Sequence, residues 1–144
     1  KPEMHIELAP KTEHKGVVYN FRKLNKNEKT PSEYFKAKEF DKALIAFKVI
    51  QQKDPKSAII RERKLQRIGD KFIRENDFDT ALEIFKINQH LYPNKSNVFN
   101  NLGKVYLLQK DTANAILNFK NSLAINPENR KAKRFMNQIT KKKK

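Results

Sequence analysis

The chain has 144 residues, a single domain's worth, with 38% hydrophobic residues, ten Phe, four Tyr and no Cys. Disulfides and thiolate metal sites are therefore excluded, and no run approaches the roughly 20 apolar residues that a membrane-spanning helix needs. The formal net charge is +16 and unevenly placed. Arg130, Lys131, Lys133, Arg134 and Lys141 through Lys144 supply half of it in a stretch with no acid, while residues 1–129 hold 24 cations against all 16 acids.

In chain order, residues 1–11 read as a linker bracketed by Pro2 and Pro10, with the alternation of Met4, Ile6 and Leu8 giving a short strand as the other reading. Lys1-Pro2-Glu3-Met4 leads into no apolar signal segment. Because the chain does not begin with Met, a mature form or a fragment of a longer protein is expected. Val17, Phe21 and Leu24 share one face of a helix over 12–27 that Thr12 would cap and Gly16 weakens. Thr30-Pro31-Ser32-Glu33 is a capping box with Pro at the first helical position, and it opens a short helix to about Lys38. Further helices are expected over 41–53, 56–75 (the longest), 78–91, 96–109, 112–125 and 128–140. Prolines at 55, 93 and 127 divide them, since proline disfavours helical geometry in the residue before it.

Three stretches are spelled almost alike. Glu39-Phe40-Asp41-Lys42-Ala43-Leu44-Ile45-Ala46-Phe47, Asp77-Phe78-Asp79-Thr80-Ala81-Leu82-Glu83-Ile84-Phe85 and Asp111-Thr112-Ala113-Asn114-Ala115-Ile116-Leu117-Asn118-Phe119 each precede one of those prolines at the same distance. Their alanines lie 38 and then 34 residues apart. Each Ala/Phe pair (43/47, 81/85, 115/119) occupies one helix face, where the small residue admits a neighbouring helix and the ring fills the volume beside it. Gly69 and Gly103, with Phe72 and Tyr106 three residues on, repeat the device in the preceding helices. A period of 34 signifies stacked helix–turn–helix units.

These positions resemble the tetratricopeptide repeat (TPR). The third copy fits with Phe99, Leu102, Gly103, Tyr106, Ala115, Phe119, Ser122 and Pro127. The second fits with Leu65, Ile68, Gly69, Phe72, Ala81, Phe85 and Pro93, with Asn88 where a small residue is usual. The first is degenerate, keeping Tyr34, Ala43, Phe47 and Pro55 but placing Pro31 at the small position. The step of 38 between copies one and two implies an extra turn, assigned to the helix after Pro55. The resemblance implies an all-α fold, a right-handed superhelical array of antiparallel helix pairs. Its repeats would cover about 30–55, 56–93 and 96–127, with a capping helix at 128–140, an extension at 1–29 and a basic tail at 141–144. A narrower likeness, carried by Phe85-Lys86-Ile87-Asn88, Leu91-Tyr92-Pro93-Asn94 and Asn97 to Leu107, is to TPR tails that follow bacterial serine hydrolases. It would make the chain an exported or periplasmic accessory tail; otherwise a cytoplasmic setting is expected. The richness in Lys, Asn and Ile suits a bacterial genome of low GC content.

Catalysis finds little material here. His5, His14 and His90 are scattered, and His90 near a helix end favours the dipole there. The three glycines form no phosphate loop, the serines sit in no nucleophile elbow, and Asp77 and Asp79 mark a helix start. No metal-ligand spacing and no cofactor motif occur, so a non-enzymatic binding module is expected. In the family the first helix of each repeat lines a concave groove. Register places there Arg63, Gln66, Arg67 and Asp70 from copy two, Asn97, Asn100, Asn101 and Lys104 from copy three, and Lys131 and Arg134 from the cap. Guanidinium forks and amides in such positions can hold a carboxylate or an extended backbone, so a protein or peptide partner, acidic in character, is expected. Asp70 departs from the family's dicarboxylate clamp and argues against a chaperone tail as that partner. Weak nucleic-acid binding through the basic tail is a third reading. The rings at 47, 72, 85, 106 and 119 are committed to core positions and not free to stack bases.

Overall fold

The computed structural model describes residues 31–142. The readings made for residues 1–30, the Thr30 cap among them, lie outside the described residues. Among these residues the chain is all-α: α1 (Pro31–Lys36), α2 (Phe40–Lys53), a 3-10 turn (Ala58–Ile60), α3 (Glu62–Arg74), α4 (Phe78–Leu91), α5 (Ser96–Leu108), α6 (Thr112–Ile125) and α7 (Arg130–Lys142). It divides into two compact units, the residues up to Leu65 and those from Gln66 onward.

The turn inside each helix pair follows one rule. Lys38, Asn76 and Lys110 adopt left-handed backbone (φ 61°, 62° and 67°). In each case the next residue's N–H donates back to the carbonyl of an aromatic residue: Glu39 to Tyr34, Asp77 to Phe72, Asp111 to Tyr106, at 2.8–2.9 Å. This is the Schellman closure, which satisfies carbonyls that the helix end would leave open. The residue after the left-handed one then caps the next helix. Asp77 Oδ1 accepts from the Thr80 N–H and Asp111 Oδ1 from the Asn114 N–H, both at 3.2 Å. Glu39, one methylene longer, makes no such cap bond. One turn thus ends a helix and starts its partner within two residues, which forces the two to run antiparallel.

In the N-terminal unit α1 packs on α2. Ala43 and Phe47 are fully buried with Tyr34 and Phe35, and the rings of Phe35 and Phe47 stack with centroids 5.6 Å apart. The four extra residues between copies one and two do not lengthen a helix as expected. They form the separate 3-10 turn, because Ser57 Oγ accepts the Ile59 N–H and Arg61 is extended (φ −62°, ψ 140°). The helix expected over 56–75 is therefore only Glu62–Arg74, one of four with thirteen or fewer residues. Ile60 is buried, which anchors the turn by burial of its apolar side chain.

In the C-terminal unit α4 packs on α5, α5 on α6 and α6 on α7. One cluster centres on Ala81, Phe85, Leu102 and Val105; a second joins Ala115 and Phe119 to Ile139 of α7. Tyr106 lies against both. The glycines mark the closest approaches: a methyl group on Gly69 would fall under 3 Å from the Phe85 ring, and one on Gly103 would lie 2.6 Å from Phe119 Cε1. Phe119 also stacks on Phe135, with ring centroids 4.8 Å apart. The last helix starts two residues later than the pattern suggests and runs on through Lys141 and Lys142, the first half of the expected tail.

Candidate functional site: the polar face of the first helices

The register residues of the C-terminal unit fall into three environments. Arg67 is exposed and Gln66 half-buried on α3. Asp70, one turn further along α3, lies 3.6 Å from Lys104 Nζ of α5. The two repeats are thus joined by an ion pair that the sequence reading did not foresee, and Lys104 carries a partly compensated charge. Both groups retain exposure (27% and 41% of their side chains), so the pair contributes well under 1 kcal/mol to stability. Its weight falls on the local potential.

The asparagines of α5 do not act alike. Asn97 is exposed, while Asn100 and Asn101 are 3% and 8% exposed. Asn100 Nδ2 donates to Asn129 Oδ1 at 2.8 Å and to Asn97 Oδ1 at 3.2 Å. Asn129 Nδ2 donates in turn to Ser96 Oγ at 2.8 Å and Asn97 Oδ1 at 3.0 Å. Asn129 Oδ1 also accepts the Ala132 N–H at 3.1 Å, so the residue caps α7 while holding α5. The sequence reading passed over Asn129. Its signal was present, since Asn immediately before a helical run is a preferred cap, but a helix starting at 128 begins two residues too early to use it.

Two buried amide atoms of α5 have no hydrogen-bond partner within the protein: Asn100 Oδ1, an acceptor, and Asn101 Nδ2, a donor. An unsatisfied buried polar atom costs about 1–3 kcal/mol. Lys131 and Arg134 stand exposed on α7, and His90 is exposed in the last turn of α4, where a cation suits the helix dipole. Arg63 is exposed on the first turn of α3, in the N-terminal unit. Among the described residues no group of His, Asp and Glu is placed to hold a metal ion, and no helix is long and apolar enough to cross a membrane.

No family model and no curated protein matches the chain. Its similarity is to solved structures. The first TPR of Spaghetti (RPAP3), bound to an HSP90 peptide of sequence SRMEEVD, superposes with a TM-score of 0.52 at 16% identity, over 77% of this chain and 85% of that one. The crystal structure of MamA protein gives a TM-score of 0.46 at 17% identity, over 81% of this chain and 58% of that one. The narrower likeness to hydrolase tails rests on its short run of residues alone. At such identities the superposition concerns the fold, and with the helix pairs, their turns and their alanine, glycine and phenylalanine contacts it establishes an all-α, TPR-like helical array.

Proposed function

We propose that this chain is a non-catalytic protein-interaction module whose C-terminal unit holds an extended peptide along the polar face of α3, α5 and α7. The observation that carries the reading is the pair of unsatisfied amide atoms on adjacent residues, Asn100 Oδ1 and Asn101 Nδ2. One is an acceptor and the other a donor, the two kinds of group that a peptide residue meets with its N–H and its C=O. Asn129 fixes the Asn100 amide in that orientation by accepting from its Nδ2. Arg67, Lys131 and Arg134 flank the amides and favour acidic side chains in the ligand, while Asp70 moderates Lys104. A similar fold that binds a peptide, the RPAP3 repeat, supports the class of partner.

Titration with acidic and neutral peptides of equal length, followed by calorimetry, tests the reading. The acidic peptide is expected to bind more tightly. Asn101→Ala should weaken both by up to about tenfold, the worth of one hydrogen bond. Asp70→Asn should strengthen the acidic peptide alone, by releasing Lys104. Equal affinities for the two peptides, or an Asn101→Ala variant that binds like the parent, would sink the proposal.

A further inference from the structure

The outward face of α7 carries more positive charge than the peptide reading uses. The helix carries six cations (Arg130, Lys131, Lys133, Arg134, Lys141, Lys142) and no acid in thirteen residues, a length of about 20 Å. Its inner face is spent: Ala132 and Ile139 are buried, and Phe135 and Met136 pack on the Phe119 cluster. Arg130, Lys133, Arg134, Asn137, Gln138, Thr140 and Lys141 are exposed. At the start of the helix folding gains nothing from this arrangement. Arg130 and Lys131 sit in the first turn, against the positive end of the helix dipole, where α3 and α4 have Glu62 and Asp79. The ion pair found among these cations, Lys133 with Glu128 at 3.3 Å, leaves Glu128 85% exposed and so is worth little.

We infer that this face binds the phosphodiester backbone of nucleic acid, without reading sequence. Three observations select that occupant. Charge complementarity demands a polyanion. A protein surface is disfavoured, because the exposed face offers no apolar or aromatic anchor, and such anchors carry most protein–protein affinity. An anionic membrane is disfavoured as well, since an interfacial helix must insert its apolar face and that of α7 is already packed on α6. What remains exposed (Arg, Lys, Asn, Gln, Thr) is the set that contacts phosphate and sugar. Stacking on bases is absent, because the exposed set contains no ring. The site belongs to the ordered helix, and it shares Arg134 with the peptide face while Arg130, Lys133 and Lys141 are its own.

Fluorescence anisotropy with short labelled DNA duplexes of two unrelated sequences, and with single-stranded RNA, tests this on the full chain. Both duplexes should bind alike. If three phosphates are engaged, affinity should fall roughly 40-fold between about 50 and about 200 mM salt. The triple variant Arg130→Gln, Lys133→Gln, Lys141→Gln, none of them in the peptide site, should keep its circular dichroism and melting temperature while losing both the binding and most of the salt slope. Asn101→Ala should bind duplex like the parent, so the two proposals fail separately. The inference is overturned if the triple variant binds as well as the parent, or if removing Lys143 and Lys144 alone abolishes binding. It is overturned equally if polyglutamate or phosphatidylglycerol vesicles are held more tightly than duplex at the same ionic strength.

Discussion

The helix pair of the N-terminal unit and the pairs of the C-terminal unit solve one packing problem in two ways. In α3/α4 and α5/α6 the first helix offers a glycine, and the phenylalanine of the second lies against bare backbone. In α1/α2 the corresponding place is taken by Pro31, the first helix has only six residues, and Phe47 stacks on Phe35 instead. A ring on backbone needs close approach of two long helices, whereas a ring on a ring tolerates a wider and shorter contact. The degenerate copy has therefore kept the buried phenylalanine and changed what meets it.

The largest expected effect breaks the better-packed version. Phe119→Ala removes a fully buried ring that meets both Gly103 and Phe135 and should cost about 3–5 kcal/mol, read from chemical denaturation. A loss of under 1 kcal/mol would show that the ring contributes no more than an ordinary surface group. Next comes Gly103→Ala. Alanine is the better helix former by about 1 kcal/mol, yet the added methyl meets the Phe119 ring and should leave a net loss of about 1–3 kcal/mol. A stabilised variant would mean that the ring moves aside freely and that close approach does not distinguish the two units. The smallest effect sharpens the contrast at the turns. Asp111→Ala deletes a working cap and should cost about 1 kcal/mol, whereas Glu39→Asp brings in the shorter carboxylate and should stabilise α2 by less than that. Hydrogen exchange in the first turn of each helix separates the two outcomes.

Much of this was legible in the linear chain because it is local. The recurring Ala/Phe pairs and the prolines at 55, 93 and 127 each act within one helix or one turn, and the helices of Phe78–Leu91 and Thr112–Ile125 end where those prolines predict. The left-handed residues were harder to see, since Lys38, Asn76 and Lys110 are not glycines and carry no shared spelling. The extra turn was misplaced for a related reason. Helical propensity runs through 56–61, but the Ser57 hydroxyl captures a backbone N–H and breaks the run, a competition that composition does not reveal.

The candidate site divides along the same line. Which residues stand on the polar face of α3, α5 and α7 follows from helical periodicity, a property of each segment by itself. That Asn100 is locked by Asn129, 29 residues away, and that Asp70 takes up part of the Lys104 charge follow from how the helices are brought together. The amino-acid order determined repeat, phase and helix type, because those interactions reach only three or four residues along the chain. Only tertiary packing decided which polar atoms are satisfied and which are not, because a hydrogen bond or an ion pair is made or lost over about an ångström.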